Sequence, residues 1–216
     1  MKNNVNYQQK LDEKLVEITE RKECPTLLLH VCCAPCSSYV LEYLSNFFKI
    51  TLFFYNPNIT PKDEFDKRWF ELNRFLQEMP VKHPVTVEIG PYHPEEFYTL
   101  AKGLEQEPEG GRRCYRCYER RLQETAEKCK REGYDYFTTT LSISPYKNAA
   151  WLNEIGERLA EEYQVDYLVS DFKKKNGYRR SIELSNIYQL YRQDYCGCEF
   201  SRAERDRRKM DKQKGE

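Results

Sequence analysis

Seven of the nine cysteines in the chain fall in three tight groups: Cys32, Cys33 and Cys36; Cys114 and Cys117; Cys196 and Cys198. Two thiols spaced CxxC at the start of a helix lie within reach of one metal ion or sulfide cluster. The helix amides there also favour thiolate over thiol. The groups are separated by 78 positions (Cys36 to Cys114) and 79 positions (Cys117 to Cys196), so any shared site must be assembled by the tertiary fold. That distinguishes the pattern from a local zinc finger or a clustered ferredoxin ligand run. Seven thiols exceed the four that one tetrahedral zinc accepts. An iron–sulfur cluster with a second metal, or with a redox-active pair, suits the count. Neighbouring Cys32 and Cys33 are not expected to face one ion easily, which argues for more than one metal or for two roles. Cys129, on an apolar helical stripe, and the isolated Cys24 read as structural.

Other groups near these cysteines could move protons or hold a substrate. Asp194 precedes Cys196 by two residues and could ligate a metal or deliver a proton; otherwise it meets Arg192 or solvent. Asp171 follows the last strand, and His30 lies inside the first, where one satisfying hydrogen bond is the usual fate of a buried histidine. Ser142, Ser144, Tyr146, Lys147 and Asn148 form a polar turn suited to a sugar hydroxyl or a phosphate, or simply to capping. Glu64 and Arg68 stand one helical turn apart and can pair with each other or project into a pocket. Basic runs flank the same places: Arg113 and Arg116 beside the second cysteine group, Lys173, Lys174, Arg179 and Arg180 after Asp171, and Arg202 to Lys209 after the third. Each run alone reads as a solvated face. Together they suggest a phosphate-rich substrate brought to a metal pocket. Tyrosines 115, 118, 178 and 195 could stack on unpaired bases.

The elements that must position these groups are legible as a pattern. Short apolar runs at Thr26–Val31, Ile50–Tyr55, Val85–Ile89, Tyr136–Thr140 and Tyr167–Val169 alternate with helical stretches, among them Phe65/Trp69/Leu72/Leu76 and Tyr118/Leu122/Ala126/Cys129. The alternation predicts an α/β fold, a mainly parallel sheet with flanking helices and a loop-and-helix C-terminal closure. Ligands collect in such sheets where strands end and helices begin, which is where Cys32–Cys36 and Leu141–Lys147 fall. Residues 1–23 read as an N-terminal helical extension, 24–200 as a single catalytic domain, and 201–216 as a basic, mobile tail. The 216 residues, 39% hydrophobic and 14% aromatic, support an ordinary core and argue against both disorder and a disulfide-stapled scaffold. Net charge is zero, yet residues 171–216 carry 13 basic and 8 acidic side chains. No apolar h-region stands near the start, so a cytoplasmic protein with reduced thiols is expected.

Taken in order, several segments resemble one family. They are Leu29–Ser37 (LHVCCAPCS), Phe54–Ile59 (FYNPNI), Arg113–Tyr118 (RCYRCY), Phe137–Asn148 (FTTTLSISPYKN), Asp171–Lys175 (DFKKK) and Tyr191–Cys198 (YRQDYCGC). The chain is similar over about residues 27–200 to the epoxyqueuosine reductase QueH family. That resemblance implies a HUP-like, Rossmann-like core and reduction of the epoxide of epoxyqueuosine to queuosine at the wobble position of tRNA with a GUN anticodon. It implies a [4Fe-4S] cluster, with further cysteines able to hold a second mononuclear metal, iron or zinc. All seven grouped cysteines match family positions, and Asp194 or Asp171 is an added oxygen-ligand candidate. An external electron donor, a ferredoxin or flavodoxin, is the expected partner.

The chemistry needs two electrons and two protons and releases water. An open metal site would polarise the C–O bond. Asp194, Asp171, His30 or a tyrosine would protonate the leaving oxygen; an aspartate in that role needs a raised pKa or a relay. Two rival readings remain. An iron–sulfur tRNA thiolation enzyme should carry an ATP-holding SGGxDS loop, where this chain has Cys32–Ser37. A non-catalytic zinc-stabilised RNA-binding module should hold one or two zinc ions and no iron.

Overall fold

The computed structural model describes residues 5–214; the first four residues of the expected N-terminal extension and the last two of the expected tail lie outside them. Five strands form one sheet: β1 Thr26–His30, β2 Lys49–Phe54, β3 Val85–Ile89, β4 Tyr136–Thr139 and β5 Asp166–Tyr167. They lie in the order β3-β2-β1-β4-β5, with every neighbouring pair parallel. Central β1 is buried over four of its five residues, as its unbroken Leu-Leu-Leu run requires of a strand covered on both faces.

Alternation along β1 separates the two covering layers. Leu27 and Leu29 join a core with Leu11, Leu15 and Ile18 of α1 (Tyr7–Glu20), Val40 and Leu41 of α2 (Ala34–Leu44), and Leu72 and Phe75 of α3 (Lys62–Glu78). Leu28 points the other way, into a core with Leu122 and Ala126 of α5 (Arg112–Glu132) and Leu152 and Ile155 of α6 (Ala149–Tyr163). The short α4 (Pro94–Ala101) sits between β3 and α5 in the chain. Each fully buried leucine contributes about 1.5–3 kcal/mol relative to exposure.

Local signals fix the element ends that matter for the site. Pro35 occupies the first turn of α2, where no N–H is needed. Asn148 caps α6 by accepting from the amides of Ala150 and Trp151. Gly133, at φ +73°, ends α5 in the left-handed conformation and donates to Cys129 O. The helix α5 begins at Arg112, three residues before Tyr115, so both Cys114 and Cys117 stand in its opening turns. Thr139 ends β4 and caps a 3-10 turn, Thr140–Ile143, by accepting from Leu141 N.

Two expectations need correction. The last strand is Asp166–Tyr167 rather than Tyr167–Val169; beyond it Leu168 N still donates to Phe137 O at 2.9 Å, and the Thr138 hydroxyl donates to Leu168 O at 2.7 Å. The expected tail is instead helix α8, Glu199–Lys214. Phe200 packs on Phe97, Ser201 is buried, and Arg205 pairs with Asp194, so the anchoring comes from remote residues. Between these lies α7, Gly177–Ile187, packed on α2; a Cβ at Gly177 would fall 2.4 Å from the Tyr39 ring. Among the described residues, no helix is long and apolar enough to cross a membrane.

The chain runs from β1 towards β2 and β3 on one side and returns through β4 and β5 on the other. The crevice at the carboxyl ends of β1 and β4 is therefore the topological switch point, the usual ligand position of an open parallel sheet.

Candidate metal centre

At that switch point β1 runs into α2 through Val31, Cys32 and Cys33. Cys33 is the residue before the helix, in extended conformation, and Cys36 lies in the first turn. The three sulfurs all lie within 4.8 Å of one another, and those of Cys32 and Cys33 are 3.6 Å apart. This corrects the expectation that Cys32 and Cys33 do not easily face one ion: the extended residue at the strand-to-helix junction brings both thiols to one side. Cys32 and Cys33 are buried and Cys36 is half-buried.

The trio behaves as one ionisable unit. Hydrogen bonds from Cys33 and Cys36 hold the Cys32 thiol well below its ordinary range, against burial and with help from Arg121 and Arg68. The same contacts push Cys33 up to about 12, chiefly through Cys32, and Cys36 well above the usual thiol value. The contacts thus favour ionisation at Cys32 over its two neighbours, and a soft cation displaces the protons of the thiols it binds.

Of the other four cysteines, Cys196 lines the cleft with the trio, and the rest fall in two buried clusters. Cys114 belongs to the same buried cluster as Cys32 and Cys33, while Cys117 and Cys198 pack together with Phe97 and Ala101. Burial, followed by repulsion from Cys196, pushes Cys198 up to about 11. Burial also pushes Cys117 up to about 12; Arg121 opposes this, and Cys196, Cys114 and Cys198 add to it. The Cys196-Gly197-Cys198 turn needs its glycine, which sits at φ +128°. Its backbone is held from outside: Thr60 N donates to Gly197 O at 2.9 Å and Arg68 Nη1 to Cys196 O at 2.9 Å. Among the described residues, Cys32, Cys33 and Cys36 are the set whose ligand atoms all meet the 4.8 Å spacing.

A cleft of about 300 Å³ opens over the trio, lined also by Cys196 and by Arg68, Arg121, Lys147 and Tyr195. Arg68 is 2% exposed and Arg121 1%. Arg121 donates to Asn56 Oδ1 at 2.5 Å and to His30 Nε2 at 3.2 Å. His30 must then carry its proton on Nδ1 and donate to Thr139 Oγ1 at 2.8 Å, which leaves the 3.1 Å approach of Tyr55 O to Nε2 without a proton between them. Burial, then Arg121, pushes His30 down to about 3. It is a neutral, satisfied core histidine, not an acid at neutral pH.

The remaining expected residues divide. Asp194, Ser144, Tyr146 and Lys147 line the cleft. Asp194 is paired with Arg205 and Lys209, which hold its carboxyl below the usual range despite some desolvation, so it is ionised and not a ready proton donor. Lys147 is 7% exposed and donates to Glu109 at 3.1 Å. Burial opposes its charge, but Cys196, Tyr118, Glu109 and Cys114 outweigh that and hold it protonated.

Seven of the expected substrate contacts, together with Asp171, stand outside the cleft lining. Asp171 lies 2.8 Å from Lys173, an ion pair without hydrogen-bond alignment. Lys173 donates to Ser142 O, and the Ser142 hydroxyl meets Ser170, so these side chains brace the loop after β5. Arg113 is a buried clamp: its Nη1 donates to the carbonyls of Leu104, Glu105 and Glu107. Arg116 lies in a separate surface hollow with Glu95 and Glu119. Lys174 is exposed, Arg179 pairs with Glu183, and Arg180 makes a two-pronged contact with Glu42. Sequence reading undervalued Arg68 and Arg121. The signal available was a basic residue at the buried position of an otherwise apolar helical face.

A family model described as epoxyqueuosine reductase QueH matches residues 27–204. Proteins named epoxyqueuosine reductase QueH are similar over most of the chain. That of Streptococcus pyogenes serotype M1 is 44% identical over 206 residues, spanning 92% of this chain and 81% of that protein. That of Staphylococcus epidermidis is 45% identical over 207 residues, spanning 93% and 87%. The Thermotoga maritima protein is 37% identical over 186 residues, spanning 83% and 92%.

Proposed function

The chain belongs to the epoxyqueuosine reductase QueH family, and from that premise we propose that it removes the epoxide oxygen of epoxyqueuosine at the wobble position of tRNA with a GUN anticodon. Both C–O bonds of the epoxide break and a C=C bond forms; two electrons and two protons enter, and water leaves. The observation that carries this reading is the close trio of thiols at the switch point, beside a cleft and two buried guanidiniums. The strand order supports a HUP-like core.

The donor chemistry fits a soft, thiolate-held centre. The contacts within the trio favour ionisation at Cys32, and Arg68 keeps a buried N–H group without a partner among the described residues. Cys32, Cys33, Cys36, Cys114, Cys117, Cys196 and Cys198 would hold a [4Fe-4S] cluster and a second mononuclear iron or zinc. When bound, these supply single-electron transfer and Lewis acidity.

The chain's own side chains do the rest. Arg68 and Arg121 offset the negative charge of the thiolates, and the low dielectric around them strengthens that attraction. Lys147 carries a proton at the cleft, and burial keeps the Tyr195 phenol protonated. These two replace Asp194, Asp171 and His30 as the groups able to donate to a leaving oxygen. Tyr146, 68% exposed at the cleft, offers a ring face on which a splayed-out base can stack. Electrons come from an external ferredoxin or flavodoxin.

The test is direct. Protein loaded with iron and sulfide without oxygen, given reductant and epoxyqueuosine-containing tRNA, should yield queuosine, a product lighter by one oxygen. Unchanged tRNA from fully loaded protein would remove the reading.

A further inference from the structure

Arg68 joins the two cysteine regions and still has a donor to spare. Its Nε donates to Glu64 Oε1 at 2.7 Å, and Glu64 is fixed from its other oxygen by the Tyr191 hydroxyl at 3.0 Å. Its Nη1 holds Cys196 O, which sets the turn carrying Cys196 and Cys198. The Tyr195 ring covers the guanidinium with its centroid 5.5 Å away. Nη2 is left: it is buried and has no partner among the described residues. A charged N–H group sealed from water without an acceptor is costly, and native proteins rarely keep one unless something else fills the role. The side chain lines the cleft together with Cys32, Cys33 and Cys36. Arg113 also leaves a nitrogen without a partner among the described residues, but it lies under Phe200 and outside the cleft lining. Arg121, the other buried cation at the trio, donates to Asn56 and His30 and also meets Cys117.

We propose that Arg68 is a positioning and charge-tuning residue: it sets the Cys196 turn through Nη1 and donates from Nη2 to a sulfur of the centre held by Cys32, Cys33 and Cys36. This rests on reading the trio as a metal-holding set. A hydrogen bond to sulfur and a fixed positive charge both stabilise the more negative, reduced form, so they raise the centre's reduction potential. Arginine suits the task because it stays charged and presents several donors in a rigid plane. Lysine would keep the charge but could not reach Glu64, Cys196 and the sulfur together.

The full-length protein, loaded with iron and sulfide without oxygen, is titrated potentiometrically with electron paramagnetic resonance detection, as wild type, Arg68→Lys and Arg68→Met. Circular dichroism and iron counts accompany each. The expected result is a more negative midpoint in Arg68→Met and a smaller shift in the same direction in Arg68→Lys. Turnover should fall about 10–100-fold, as for other partners that orient ligands. A folded, fully loaded Arg68→Met protein with the wild-type midpoint overturns the proposal. If that variant fails to fold or load, Arg68→Lys decides, and an unshifted midpoint there overturns it. Wild type that takes up no redox-active iron overturns it as well. A shifted midpoint in protein that leaves epoxyqueuosine intact supports this role and removes the proposed reaction; conversion with unshifted midpoints does the reverse.

Discussion

Cys32, Cys33 and Cys36 are brought together by five consecutive residues at one strand-to-helix junction, whereas Cys114, Cys117, Cys196 and Cys198 meet only because α5 and a distant turn pack against each other. The first region is local: once β1 and α2 form, the sulfurs have few other places to go. The second depends on helix docking, on one positive-φ glycine and on backbone bonds from Thr60 and Arg68. The local region therefore forms with the core of the sheet, and the remote one reports on how well the C-terminal segment is seated.

Substitutions should separate the two. The largest effect is expected from Cys33→Ser: turnover should drop by more than about 100-fold, beyond the range typical of supporting partners, with the thermal midpoint nearly unchanged. Iron analysis should show metal lost from the trio alone; equal loss from both regions would mean that they form one indivisible set. Gly197→Ala attacks the remote region. Its Cβ would meet Ile59 Cγ1 at 3.0 Å and Arg68 Nη1 at 3.1 Å, on a backbone that strains any L side chain. Denaturant unfolding should show a loss of about 1–3 kcal/mol, and reagent access to Cys196 and Cys198 should rise ahead of that to the trio.

Ser201→Ala is a milder probe. Its hydroxyl bonds Cys198 O at 2.9 Å and meets the Cys198 sulfur at 3.4 Å. A loss of about 0.5–1.5 kcal/mol is expected in the same assay, with iron content at the trio intact. The smallest effect belongs to Asp194→Asn. Asp194 is half exposed, so its pairs with Arg205 and Lys209 are screened and amount to at most about 1 kcal/mol. Because its folded pKa is lowered, that contribution is present above the ordinary carboxylate value of about 3.9. It disappears as pH falls through the lower folded value. Protection of α8 amides measured across that window should fall in the parent and stay flat in the variant.

Much of the frame was legible because it rests on local patterns. Leu27 to Leu29 announced a buried strand, and Phe65, Trp69, Leu72 and Leu76 announced the amphipathic stripe of α3. Of that stripe Phe65 and Leu72 are buried and Trp69 and Leu76 half-buried, with Phe75 and Arg68 completing the buried face. The cysteine groups were legible as types and spacing, and the cleft-lining Ser144, Tyr146 and Lys147 as a turn after a strand. What sequence could not show is which cations are buried. Arg113 and Arg68 look alike in one dimension, yet one clamps the loop before α5 and the other sits between cysteine regions. Charge runs suggested a phosphate track, but Arg179 is met by Glu183 one helical turn on, and Arg180 by Glu42, a carboxylate that only tertiary structure identifies. The order of α8 was hidden for the same reason, since its contacts with Phe97 and Glu109 come from remote segments.

The turn at residues 196–198 is gripped by its peptide groups, through Cys196 O and Gly197 O. Neither grip depends on which side chains flank the glycine. Cys196, half-buried at the cleft, can therefore be exchanged for a carboxylate to change the hardness of a bound ion while the loop's path is retained; Cys198, buried and bonded to Ser201, has no such freedom.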